Sequence, residues 1–447
     1  MTSLAKLTDA LLHAATSAGA ETADAIAIKR RSVTIEVRDR ALEHAKSAES
    51  VEIGLRVLLG QRQSCVASSD TSSEAIAEMA ERAVDMARVA PEDVNAGLAD
   101  PDQLAHDWDL DALDLVDPAD APASPEMERT ALKVEAAALS HQGISQVDVA
   151  AASFERSAFH LAATNGFSGG WERTSHGTYC IAISGEGLEM ERDHCSEGRV
   201  HQSDLPDAED IGHRAAERAC ARAGARKPET GAFPVLYDER IAGGLIGHLL
   251  QASNGAAVAR GGSWLRDRLG KKVLPDGLSI IENPHRPRVA GSRPFDAEGL
   301  PTRARRIVED GILNGWTLDL ATARKLGMES TASASRGTAS PPSPSITNIA
   351  LTEGRVSRDD LLRDMGSGLM VTSLMGSSIN PTTGDYSRGA SGFWIENGEI
   401  AYPVNECTIA GNLHDMFRTI RPANDARRHL RWVVPSLLVE GLTIAGK

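Results

Sequence analysis

Between Arg88 and Arg129 the chain carries twelve Asp or Glu residues and no Lys or Arg, and prolines fall at 91, 101, 118, 122 and 125. No other feature constrains the fold as much. Each proline fixes φ and removes a backbone donor, and a run of like charge is costly to bury. The stretch therefore reads as a solvated acidic connector, 91–125, with a structured unit on each side. A second boundary, KPETG at 227–231, divides the remainder into a middle unit, 126–226, and a third unit, 227–447. At 447 residues the chain exceeds the size at which a single core keeps growing, so more than one unit is expected.

The unit 1–90 opens with Leu4, Leu7, Leu11 and Leu12 at helical spacing. Residues 24–69 then alternate and are rich in β-branched side chains, which predicts three or four antiparallel strands with a break near Gly60. Thr71 and Glu74 have the spacing of a capping box before a helix that Pro91 stops. The middle unit reads as a helix closed by Gly143, strands near 146–153, 157–164, 171–184 and 187–193, and a helix near 207–223. Asn165-Gly166 marks a hairpin within it. The third unit begins with the apolar run AFPVLYD and one helix, then turns into short alternating segments. The whole is α+β: N-terminal sheet-plus-helix units followed by a β-rich C-terminal domain. Its long Ser/Gly/Pro-rich stretch, 329–345, is read as a loop, either functional or disordered.

Charge and cysteine content exclude several classes. A formal charge of −15 works against direct binding to nucleic acid. Five scattered cysteines, Cys65, Cys180, Cys195, Cys220 and Cys407, make no CxxC pair, which points to a reducing cytoplasm. No apolar run is long enough to span a membrane. Neither GxGxxG nor GxxxxGK[ST] occurs.

Three candidate clusters remain. His194-Cys195 with His201 fits no standard zinc spacing and is read as incidental placement. Arg303, Arg305 and Arg306, flanked by acids, suit the surface of a strand or helix. The block NPTTGDYSRGASG gathers Asn380, Asp385, Ser387, Arg388 and Ser391, as a β-turn with capping side chains, a nonstandard catalytic site, or a lining for peptide or partner. The helix ERIAGGLIGHLL, 239–250, is the least ordinary stretch. Gly243 and Gly244 each cost about 0.5–1 kcal/mol in a helix interior, which predicts that something approaches that backbone closely. His248 beside them is either a core or contact histidine or one ligand of an incomplete metal site.

The blocks PFDAEGLPTRARRIVEDGIL, LDLATARKLGMEST, GSSINPTTGDYSRGASGFWIENGEIAYPVNECTIAGNLHDM and PSLLVEGLTIAG resemble the signature stretches of the TldD/PmbA family, in its PmbA branch, also called TldE. AGAETADAIAIKRRSVTIEVRD, GLRVLLGQRQSCVASSD and APEDVNAGLAD extend the likeness over nearly the whole chain. The resemblance implies a cytoplasmic two-subunit metallopeptidase acting on peptides or unfolded segments. In the TldD branch the corresponding helix carries a His-Glu-x-x-x-His motif that holds zinc and activates water. Here the second His falls on His248, while Gly243 and Gly244 stand for the first His and the Glu. That branch's cysteine ligand precedes its Pro-Ser-Leu block, where this chain has His429 and no Cys. Cys407 is expected to be a small buried residue.

The resemblance thus implies no catalytic residue, no metal ligand set and no cofactor in this chain. Zinc is expected in a TldD-type homologous partner, with a peptide or unfolded segment as substrate. A second copy of this chain is another expected partner. Two alternatives stay open: a stand-alone peptidase with a nonstandard site, or a protein-binding modulator of DNA gyrase, an older label of the family.

Overall fold

The computed structural model describes residues 3–446, the side chain of Ser377 apart. Helix α1 (Leu4–Ser17) starts at Ser3, whose hydroxyl accepts from the Lys6 amide, and buries Leu7, Leu11 and Ala15. Three antiparallel strands follow: β1 (Thr22–Arg38), β2 (Ala41–Leu59) and β3 (Arg62–Ser68). Helix α2 (Ser73–Val89) ends before Pro91 as expected, but its cap is Ser72 rather than Thr71, because the Ala75 amide reaches the Ser72 hydroxyl at 3.3 Å. After the acidic stretch come α3 (Ser124–Leu139), β4 (Ile144–Ala163), β5 (Ser168–Ser184), β6 (Glu191–Arg199) and α4 (Ala208–Ala221). The strands expected at 146–153 and 157–164 are one strand. The polar Glu155 and Arg156 between them continue the pairing on β1 and β5 instead of turning.

β1 pairs with β4 from Asp24↔Ala163 to Val37↔Ala150, so the first and middle units share a six-stranded sheet, ordered β3-β2-β1-β4-β5-β6. The alternation of β1 decides what each face covers. Ala23, Ala25 and Ala27 pack under α1 and α2, and Val37 on the same face packs under α3 and α4. Ile26 points the other way, onto Leu104 of the acidic stretch and onto Phe167 and Phe295. The connector is therefore not a bare solvated spacer, since Leu104, Leu113 and Leu115 are buried.

The third unit contributes β7 (Gly231–Tyr237), α5 (Glu239–Ala252) and the strands Gly368–Ile379, Asp385–Glu396, Glu399–Asn412 and Leu437–Ala445. These strands make a second sheet that closes on itself, because 408–410 pair with 443–445. Past Val371 the strand Gly368–Ile379 pairs only with 385–396, leaving residues 372–379 without a strand partner on the other side among the described residues.

The Ser-rich stretch 329–345 crosses to the first sheet. Its Arg336 is buried on Asp24, which also takes Arg56 Nε at 2.7 Å. Thr338 lies so close to Gly54 that a Cβ there would sit 2.2 Å from its carbonyl oxygen, so only glycine fits. Among the described residues no helix is long and apolar enough to cross a membrane.

Candidate functional site

α5 is positioned by its first turn and by its apolar stripe. Asp238 caps it, accepting from the Arg240 amide at 3.1 Å. Ala242, Leu245, Ile246, Leu249 and Leu250 face the core. Gly243, Gly244, Gly247 and His248 fall on the other face, at i, i+1, i+4 and i+5. A Cβ at Gly243 would lie 3.8 Å from Trp432, and one at Gly247 3.2 Å. At Gly244 it would meet nothing within 4 Å. The expected close approach is therefore not made within this chain, and the helix presents bare backbone outward beside the Trp432 ring.

His248 is half-buried. Burial first, and Arg388 second, hold its imidazole below the ordinary histidine range. Its ring meets the Tyr386 ring edge-on, with centroids 5.8 Å apart. Tyr237 donates its phenolic hydrogen to Tyr386 at 3.3 Å, and burial pushes the Tyr237 phenol well up, so both phenols remain neutral. Arg388 Nε is buried without a hydrogen-bond partner among the described residues.

At the start of α5 lies a dense charge network. Glu239 is raised by burial and opposed by Arg427, whose Nε stands 3.4 Å away. Glu197 of β6 gathers Arg199 at 3.0 Å, Arg214 and Arg427 at 3.3 Å, and His429 at 3.6 Å. Burial would raise that carboxyl, but Arg427 and Arg199 hold it below the usual range. The segment 427–432 thus runs along α5, from Arg427 at Glu239 to Trp432 at the glycines.

The donor set here does not fit zinc, which takes three protein ligands even in open catalytic sites. On the glycine face His248 is the one imidazole, and glycine supplies neither a ligand atom nor a base. Among the described residues no group of three His, Cys, Asp or Glu is arranged to hold a metal ion. Cys407 is buried, donates its thiol to the Ala390 carbonyl at 3.2 Å, and is pushed up to about 11 by burial, so it stays a thiol. His429 faces Glu197 instead.

The NPTTGDYSRGASG block spreads over two places. Asn380 accepts from the Thr382 and Thr383 amides, and Asp385 accepts from Thr383 and Asn412, which fixes a hairpin tip. Ser391 is buried and accepts from Arg222 of the first sheet's last helix edge at 3.1 Å. Ser387 points away from the face that Tyr386 and Arg388 share, as strand alternation requires. Of the group, Arg388 acts on His248, through its charge. Tyr386, Tyr237 and Trp432 escaped sequence reasoning, although the alternation Tyr386–Arg388 was a usable signal. His194 is exposed, Cys195 and His201 are buried, and Arg305 begins an interior strand, 305–309, where it meets Glu282 on the neighbouring strand at 2.7 Å.

Three family models cover the chain in order: PmbA/TldA metallopeptidase domain 1 over 23–87, the central domain over 106–223 and the C-terminal domain over 230–446. Metalloprotease PmbA of Escherichia coli O157:H7 is 36% identical over 94% of this chain and 91% of its own length. The chain belongs to the PmbA/TldD family. A solved structure from Bacteroides thetaiotaomicron, described as a candidate modulator of DNA gyrase, superposes with a TM-score of 0.91 at 26% identity, covering 99% of this chain and 98% of its own. TldE from Thermococcus kodakarensis shares the fold, with a TM-score of 0.84 at 20% identity over 98% of this chain and 100% of its own.

Proposed function

We propose that this chain is a non-catalytic, cytoplasmic subunit that pairs with a zinc-bearing TldD-type subunit and completes the chamber in which an extended peptide is cut. The observation that carries this reading is the open backbone of Gly243 and Gly244 beside His248. Metal-assisted hydrolysis needs a held ion to acidify water and a carboxylate to take its proton. This face offers one imidazole and two glycines. What remains is a ledge of bare helix backbone beside the Trp432 ring. The open side of residues 372–379 supports peptide capture by strand addition, in which main-chain hydrogen bonds give affinity with little sequence preference. A gyrase-modulating role through direct DNA contact is disfavoured by the charge of −15.

The test is co-expression with a TldD-type subunit and assay on an unfolded peptide. Activity is expected to fall sharply when this chain is omitted. Activity undiminished by the omission defeats the proposal.

A further inference from the structure

The molecule is strongly acidic, yet one pocket is walled by guanidinium groups. It measures about 440 Å³ and is bounded by Arg199, Arg286, Arg288, Arg428 and His429, with Asp204 as the carboxylate in its lining. Arg288 is answered by Asp114 at 2.6 Å and Asp204 at 3.1 Å. Arg199 is answered by Glu197. Arg286 differs. Its guanidinium is held by the carbonyls of Arg428 and of Leu430, the latter at 3.0 Å, and it meets no carboxylate among the described residues. Neutral carbonyls fix its position without cancelling its charge. Arg428 has its side chain 82% exposed and pairs with Glu353 at 3.2 Å. His429 Nε2 is buried and faces Glu197 at 3.6 Å, without a hydrogen-bond partner among the described residues. The imidazole is depressed by burial and then by Arg199 and Arg427, with Arg286 adding to the effect against Glu197. Its own titration thus senses the positive field of the pocket.

We infer that this pocket binds a carboxylate, and that it anchors the acidic group of a peptide lying on the α5 ledge; the peptide part rests on the function proposed above. Planar guanidinium forks match a carboxylate with paired, charge-assisted hydrogen bonds. The placement is specific as well. The pocket wall and the ledge are two ends of one segment, since 428–429 line the pocket while Trp432 packs on Gly243 and Gly247. A chain extended along the ledge has the pocket within a few residues' reach, at roughly 3.3 Å per residue. The cluster is confined to one concavity rather than drawn into a stripe, which suits a single small anion better than a polyanion.

The experiment uses the full chain and three fluorescein-labelled versions of one short Gly/Ser/Leu peptide: free C-terminal carboxylate, C-terminal amide, and C-terminal amide with an internal Glu. Fluorescence anisotropy is expected to show about tenfold tighter binding of a carboxylate-bearing version than of the plain amide, and a loss of that preference as salt rises. Whichever of the two acidic peptides is preferred identifies the source of the carboxylate. Arg286→Gln, which removes the uncancelled charge, and the exposed Arg428→Ser as a second variant, are expected to remove the preference while amide binding is retained. Equal affinity for all three peptides overturns the inference and leaves the proposed function standing. No binding of any peptide overturns the inference, and the partner's dependence on this chain then decides the proposed function separately.

Discussion

Gly243 and Gly244 occupy a helix interior, where alanine is better by about 0.5–1 kcal/mol per position because glycine loses more backbone freedom on folding. In this structure nothing inside the chain requires glycine there. A Cβ meets Trp432 only at ordinary contact distance, 3.8 Å, at position 243 and open space at position 244. The double substitution Gly243→Ala/Gly244→Ala is therefore expected to stabilise the chain by about 1–2 kcal/mol. With an unfolding entropy near 2.1 cal/mol/K per residue, a cooperative unit of this size gains about 1–2 °C in Tm. Scanning calorimetry or urea titration measures the gain. On the proposed function the same variant is expected to support a TldD-type partner less well, because two methyl groups would stand on the face proposed to receive a partner or peptide backbone. A destabilised variant refutes the reading that the helix tolerates side chains there. A stabilised variant with full partner activity refutes the functional use of the bare backbone.

Other substitutions test the packing that positions the ledge. Asp24→Ala strands Arg56 and Arg336 as buried, unanswered charges and is expected to cost about 3–5 kcal/mol, read as a lower urea midpoint. Glu298 is half-buried, with its carboxyl pushed well up by desolvation and by Asp296, while accepting from the Leu320 amide at 2.9 Å. Glu298→Gln keeps an acceptor and removes the charge, so stability at neutral pH is expected to rise by about 1 kcal/mol or more, with the difference shrinking as pH falls toward the ordinary Glu range. His248 is depressed in the folded chain, so its contribution is complete above the unfolded value near 6.5 and is lost as pH falls from there through the folded value. His248→Gln is expected to flatten that part of the stability profile, and an unchanged slope counts against the burial argument.

Local elements were legible because their signals are local. The stripe Leu4–Leu7–Leu11, the apolar face of α5 and the Asn165-Gly166 hairpin follow from period and turn chemistry, and the structure places each accordingly. The shared sheet was not legible. β1 and β4 meet across the acidic stretch, and nothing in either strand's sequence names its neighbour. The Ser-rich loop reads in the sequence as either functional or disordered, because small polar residues name no partner; Arg336 and Thr338 tie it to β1 and β2 through a buried ion pair and a close approach to Gly54. For the site, glycine identities and His248 were readable, whereas Tyr386 and Trp432 came from a strand and a segment more than a hundred residues away in sequence. Likewise the arginine pocket assembles from β6, the 286–289 loop and 428–429, too scattered for any motif.

The central claim is that this chain cannot grip the ion its relatives are named for. Elemental analysis of the purified chain and of its purified TldD-type partner, after dialysis against a weak chelator, tests it most directly. The account predicts near-stoichiometric zinc in the partner and only trace zinc here. One tightly held zinc per copy of this chain, lost on His248→Ala, contradicts it.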